Sequence, residues 1–321
     1  MVGENKLKAN KRLRNRGRNV NFDIQNKLIK ILDVDNYRRD HLIEYLHIIQ
    51  DQIGFINKEY MTALASLLNI SQTEVYEVAT FYHHFDIIKN EKDIPQSLTI
   101  RVCDSVTCEI NGANELAKNL DDYFKGTVRI QKVPCIGRCQ SAPVAVVKFN
   151  PIDNASLKNV KEAVNAKAFH PKIPDYMKLK KYVSDGGYTL LDKIKNKEID
   201  EEKVLSELEN SNLRGLGGAG FPAGKKWRIL KEQSLPRLLV VNIDEGEPGT
   251  FKDRYYLESD PHRFFEGMLI AAEIVGVDKI YIYLRDEYAA ARKIMSQEIK
   301  ELQKKYTDSI PDIELRRGAG A

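Results

Sequence analysis

Val133-Pro134-Cys135-Ile136-Gly137-Arg138-Cys139 places two cysteines around a glycine. Two more stand upstream in Val102-Cys103-Asp104-Ser105-Val106-Thr107-Cys108. All four cysteines of the 321-residue chain fall within 37 consecutive residues, as Cys-x4-Cys, a gap of 26, then Cys-x3-Cys. Chance would scatter them. Clustered cysteines in a chain without a signal-peptide pattern read as a metal site before a disulfide framework. Four thiolates suit zinc or an iron–sulfur cluster, since both take soft sulfur ligands. Zinc ribbons more often use Cys-x2-Cys pairs, and both pairs here are wider. Gly137 lets the backbone approach the metal and turn N–H groups toward sulfide. Spacing therefore favours an iron–sulfur cluster held by Cys103, Cys108, Cys135 and Cys139. Zinc and a redox disulfide stay open on spacing alone.

Around the cysteines, 97–103 alternates as a strand, 112–120 reads as a helix, and 127–133 and 142–149 read as further strands. Pro143 falls at the start of the last one, where proline is tolerated. This predicts a small α/β domain with its cysteines at loop ends. Upstream, 22–88 is helical: Leu28, Ile29 and Leu32, then Leu42, Ile43, Leu46 and Ile49, recur at helical spacing. Ser71 and Glu74 form a capping-box pattern ahead of a helix through Val75, Val78, Ala79 and Tyr82. His83 and His84 are adjacent, so on a helix they point about 100° apart. They read as structural or surface residues rather than paired ligands.

These residues carry a resemblance. Val102-Cys103-x4-Cys108 followed by Gly112, then Cys135-x-Gly137-x-Cys139, is similar to the 24-kDa subunit family of respiratory complex I. That family has relatives in NAD-reducing hydrogenases and NAD-dependent formate dehydrogenases. Val78-Ala79-Thr80-Phe81-Tyr82 matches it as well. The resemblance covers about 25–165 and implies a helical segment followed by a thioredoxin-like domain that holds one [2Fe–2S] cluster on the four cysteines.

Farther on, Gly215-Leu216-Gly217-Gly218-Ala219-Gly220 satisfies G-x-G-x-x-G. The dinucleotide fingerprint needs a strand before it. A helix over 201–210 precedes it here, so an ordinary Rossmann site is rejected and a flexible loop is the plain reading. The longer run Leu213-Arg214-Gly215 to Phe221-Pro222-Ala223-Gly224-Lys225-Lys226-Trp227 nevertheless resembles the flavin and NADH loop of the complex I 51-kDa subunit family. So does Asn242-Ile243-Asp244-Glu245-Gly246-Glu247-Pro248-Gly249-Thr250-Phe251-Lys252-Asp253-Arg254. The resemblance covers about 180–321. It implies that Gly215, Gly217, Gly218, Lys226, Asn242, Asp244 and Glu245 bind FMN, and that Phe221 and Glu247 face NADH. The residue types agree: glycines admit a flat ring, an aromatic can stack on it, and ligands sit beyond strand ends in open α/β sheets. No residue is assigned as a catalytic acid or base. Lys252, Asp253 and Arg254 read as structural ion pairs.

The second half alternates strand 238–241, helix 263–275, strand 279–284, helix 287–304 and strand 313–315, which predicts a parallel sheet. The expected fold class is α/β. It comprises a basic disordered tail (1–20), a helical segment (21–95), a thioredoxin-like [2Fe–2S] domain (96–165), a linker (166–200) and the N-terminal part of an FMN/NADH-binding domain (201–321). In the family the flavin site continues past a Gly-Ala-Gly loop like 318–320, so this chain reads as ending inside that domain.

Composition fits a water-facing protein, with 42% hydrophobic and 30% charged residues and a net charge of +4. The longest apolar stretch, Met268–Val277, is broken by Glu273 and is shorter than the roughly 20 residues a span requires. Residues 1–18 hold seven Lys or Arg and one Glu, without the interleaved aromatics of a nucleic-acid site. The expected function is an electron-input (diaphorase) module: hydride exchange between NAD(H) and FMN, then single electrons to iron–sulfur clusters. The expected partners are subunits of a complex I-like, formate dehydrogenase or hydrogenase assembly, with no nucleic acid or membrane insertion. A cytoplasmic location follows, peripheral to the inner membrane in the complex I case. The alternative is a non-catalytic [2Fe–2S] carrier or assembly piece.

Overall fold

The computed structural model describes residues 17–320. Most of the expected basic tail, 1–16, lies outside the described residues. The chain divides into two compact units, one reaching Ser97 and one spanning Leu98–Gly320.

The first unit holds α1 (Phe22–Leu32), α2 (Leu42–Ile53), α3 (Lys58–Leu68) and α4 (Gln72–Phe81). Side chains of Asn21, Asn57 and Ser71 accept backbone N–H groups at the starts of α1, α3 and α4, satisfying donors that a helix leaves unpaired. Gly54 and Asn69 end α2 and α3 in the left-handed conformation, a common helix stop. Leu28, Leu46, Ile49, Leu64 and Val75 are fully buried. Ser71 caps Glu74 N–H at 3.0 Å, as expected, while the Glu74 carboxylate turns to Arg39 at 2.6 Å. α4 stops one residue short of Tyr82, which is extended. His83 is exposed. The His84 ring lies against His47 and Phe85, at 4.8 and 5.5 Å between centroids.

The second unit opens with a sheet of β1 (Thr99–Cys103), β2 (Arg129–Val133), β3 (Ala145–Val147) and β4 (Asn150–Ile152), in the order β2-β1-β3-β4. β1 and β2 are parallel, so a crossover must join them. It is made by α5 (Val106–Ile110) and α6 (Ala113–Phe124). The strand expected over 142–149 is shorter and becomes a hairpin. Lys148 takes φ +60° between the paired Val147 and Asn150, and the chain folds back as β4. α7 (Leu157–Asn165) closes this part. Its core gathers Ile100, Val102, Leu120, Val144, Val147 and Val160.

The remainder contains α8 (Leu179–Ser184), α9 (Thr189–Lys195), α10 (Glu201–Asn210), α11 (Ala223–Lys231), β5 (Leu238–Ile243), α12 (Lys252–Ser259), α13 (Pro261–Val275), β6 (Lys279–Leu284), α14 (Ala289–Lys305) and β7 (Asp312–Arg317). The sheet runs β5-β6-β7, parallel throughout. The stretch read as a linker holds two short helices, α8 and α9. Tyr188 and Leu191 are buried with Phe265, Ile282 and Met295 in one core. The tyrosine hydroxyls of this stretch find distant partners: Tyr176 donates to Glu298 at 2.7 Å, Tyr182 to Glu266 at 2.6 Å, and Tyr188 meets His262 Nδ1 at 2.9 Å. Among the described residues no helix is long and apolar enough to cross a membrane.

Candidate functional site

Sheet register gathers the cysteines. Cys103 is the last residue of β1 and pairs with Val133, the last of β2. Neighbouring parallel strands end on the same edge, so Cys103 and Cys135, two residues past β2, meet there. Cys108 arrives on α5 and Cys139 on the turn Cys139–Ser141. Cys103, Cys108 and Cys135 are buried and Cys139 is half-buried. Sulfur contacts run in a chain: Cys108 with Cys103, Cys103 with Cys135, and Cys135 with Cys139 at 3.4 Å. Hydrogen bonding with Cys108 pushes the Cys103 thiol up to about 11. The same bond holds Cys108 below the ordinary thiol range. Cys135 is raised by its bond with Cys103 and by burial. Burial raises Cys139, opposed by the Gly249 N–H. Four thiols sharing protons at close range are a donor set for a thiolate-bound metal centre, whose loading would release those protons. Gly137 N–H also faces Cys135 Sγ at 3.4 Å. This donor set fits an iron–sulfur cluster.

The second cysteine loop is held from the flavin-like half. Gly249 N–H donates to Cys139 Sγ at 3.2 Å. Arg254 Nε donates to the Gly137 carbonyl at 2.9 Å, and Arg285 Nη2 donates to the Cys135 carbonyl at 2.5 Å. Arg138, between the two cysteines, reaches Glu258 of α12 at 3.5 Å. Gly137 has φ +68°, and a Cβ there would strike the Tyr288 ring and hydroxyl.

The acidic loop is built around Glu245. Its carboxylate, 2% exposed, accepts from the N–H groups of Asp253 and Arg254 at 2.9 and 3.3 Å and from the Tyr288 hydroxyl at 2.7 Å. It thereby caps the N-terminus of α12, where a negative charge is favoured. Its carbonyl accepts from Arg285 at 2.6 Å. The side chain that the resemblance aims at FMN is thus engaged in shaping the loop. Lys252 and Asp253 pair at 2.7 Å, and Arg254 pairs with Glu258 at 2.9 Å.

Asn242 is exposed at the end of β5 and accepts the Asp244 N–H at 2.9 Å. Asp244 is half-buried, and burial raises its pKa against the pull of Arg285. Glu247 is exposed; its carbonyl accepts from Thr250 N–H at 3.1 Å. A cavity of about 330 Å³ lies beside β5. Of the expected flavin and NADH residues, Asn242 borders it.

The glycine-rich loop lies between α10 and α11, closed by an Arg214–Pro222 bridge. Gly215, Gly217, Gly218 and Lys226 are exposed, and Phe221 is 45% exposed. Nothing lies within 4 Å of where a Cβ would stand at Gly217, Gly218 or Gly220. This open backbone face suits a flat ring system such as isoalloxazine.

Comparison with known proteins agrees with both halves. Residues 28–168 match the family model of the thioredoxin-like [2Fe-2S] ferredoxin, and residues 208–321 match that of the Nuo51 FMN-binding domain. The chain thus joins a match to the first family with a match to the second. NAD-reducing hydrogenase HoxS subunit alpha of Cupriavidus necator is 28% identical over 306 residues, covering 84% of this chain and 50% of that protein. The mitochondrial NADH-ubiquinone oxidoreductase 51 kDa subunit of Neurospora crassa is 40% identical over 134 residues, covering 37% of this chain and 27% of that protein. A crystal structure of an air-oxidized NAD+-reducing [NiFe]-hydrogenase matches with TM-score 0.71 and 25% identity, over 88% of this chain and 52% of that one. The chain therefore spans about a quarter to a half of these relatives. The two families bring a [2Fe–2S] cluster and FMN as its cofactors.

Sequence reading of this chain missed the residues that hold the cluster loop: Arg254 as a clasp, Arg285 and Tyr288. Arg285 immediately follows β6, at a strand end where ligands gather, and that position was the available signal.

Proposed function

We propose that this chain is the electron-input (diaphorase) part of a multi-subunit NAD-linked oxidoreductase, exchanging hydride between NADH and FMN and passing electrons singly to iron–sulfur clusters. One observation carries the reading: the loop with the expected flavin and NADH residues also hydrogen-bonds a cysteine of the cluster site, Gly249 to Cys139. When bound, FMN and the cluster supply the change from a two-electron hydride to single electrons. The chain's own part is placement. Cys103, Cys108, Cys135 and Cys139 would hold the cluster. Gly215, Gly217, Gly218, Lys226, Asn242, Asp244 and Glu245 would frame FMN, Glu245 by fixing the loop's shape. Phe221 and Glu247 would meet NADH.

The functions of the relatives support an assembly of complex I or hydrogenase type, with a formate dehydrogenase as a third member of the class. A cytoplasmic site of action, peripheral to the membrane in the complex I case, accords with the lack of a membrane-crossing helix among the described residues.

The test is to purify the chain with its native partners and measure bound FMN, NADH-dependent reduction of an artificial acceptor, and electron paramagnetic resonance after dithionite. Flavin, turnover and a reduced-cluster signal together are expected. A cluster signal without flavin or turnover would instead favour the carrier reading.

A further inference from the structure

We propose that Arg285 is a positioning residue of the cluster site and sets how readily the cluster takes an electron. The inference rests on the reading that the four cysteines hold a [2Fe–2S] cluster. Arg285 is 2% exposed and lies on neither cysteine loop. One nitrogen donates to the Cys135 carbonyl and another to the Glu245 carbonyl at 2.6 Å. Its fork also meets Glu287 at 3.1 Å, and its charge lies over the Tyr288 ring at 5.2 Å. A planar, rigid group that spans two carbonyls fixes their separation. Here those carbonyls belong to a cluster ligand and to the hub of the flavin loop.

The charges around the cysteine loop include Arg138, Arg254, Arg285 and Lys252 against Asp244, Glu245, Glu258, Glu287 and Asp153. Arg285 is bonded directly to a cysteine's own peptide. Reduction adds one negative charge to the cluster, and a buried cation next to it favours that charge because screening is weak. Removing Arg285 leaves its carboxylates uncompensated and disfavours the added electron. Removing Glu287 acts in the opposite sense.

The experiment is a redox titration followed by electron paramagnetic resonance on the full chain, comparing wild type, Arg285→Met, Arg285→Lys and Glu287→Gln. Arg285→Met is expected to shift the equilibrium about tenfold against reduction, about 59 mV downward for one electron. Arg285→Lys should recover most of that shift, and Glu287→Gln should move the midpoint upward. A loss of packing alone would not produce opposite signs. Arg285→Met at the wild-type midpoint overturns the inference. If Arg285→Met cannot be isolated with its cluster, Glu287→Gln, whose side chain is 22% exposed, decides the matter: an unchanged or lowered midpoint overturns the inference. A wild-type chain without a reduced-cluster signal overturns the cluster reading, and this inference with it.

Discussion

The backbone N–H of Gly249 points at the sulfur of Cys139 across 3.2 Å, although 110 residues separate them. Amide-to-sulfur hydrogen bonds stabilise added negative charge on a cluster. A loop expected to face flavin and NADH therefore also helps set the electronic environment of the cysteine site.

Replacement of a ligand gives the plainest test. Cys135→Ser removes a buried thiol at the middle of the sulfur chain. It should abolish the reduced [2Fe–2S] resonance and lower bound iron. A variant that keeps full iron and an unchanged spectrum would remove Cys135 from the ligand set.

Gly137→Ala should damage both halves at once. The position has φ +68°, and the added Cβ would meet Tyr288. Left-handed strain alone costs of order 1–3 kcal/mol, before the clash. Denaturant unfolding should show at least that loss, with faster loss of the cluster on dilution into chelator. Wild-type stability would mean that the loop can shift freely.

Acid should weaken the core through His262. The ring is fully buried between Tyr188 and Glu298, 2.9 Å from each. Burial lowers its pKa, with Glu298 opposing. A depressed folded pKa means that the unfolded chain binds the proton first, so stability is complete above the ordinary histidine value, about 6.5, and falls as pH drops through it. Thermal melts from pH 8 to 5 should show this slope, and His262→Gln should flatten it.

Two substitutions separate core from open face. Phe265 is fully buried, and Phe265→Ala should cost about 3–5 kcal/mol. Val240 on β5 is 64% exposed, and Val240→Ala should stay within about 0.5 kcal/mol. Comparable losses at both positions would mean that β5 is covered in solution.

The glycine loop can be probed at Gly217, which lies outside the left-handed region and has open space around it. Gly217→Val should leave the melting temperature nearly unchanged and reduce the FMN retained after gel filtration. Equal retention would place FMN elsewhere.

Much of this was legible in sequence because it is local. α10 and β6 fall at the residues expected from periodicity and caps, and the cysteine set was marked by spacing. α11 and α12 were missed because Lys225, Lys226, Lys252 and Asp253 break the apolar pattern of short helices. Residues 166–200 looked like linker because the partners of their tyrosines, Glu298 for Tyr176, Glu266 for Tyr182 and His262 for Tyr188, lie far along the chain. Tyr288 was silent for the same reason, and Arg285 was marked only by its place just after β6: their partners lie far away in the chain, and no periodicity records such a pairing.

Between the end of α7 at Asn165 and the start of α8 at Leu179, one short crossing joins the cluster-bearing part to the flavin-like part. A covalent tether of that kind gives the two faces an effective concentration of order millimolar. Arg254, Arg285 and Gly249 need only choose the register of a contact that the tether already enforces. Dilution cannot part the two faces, and the contact between them is insensitive to how much of the protein a cell makes.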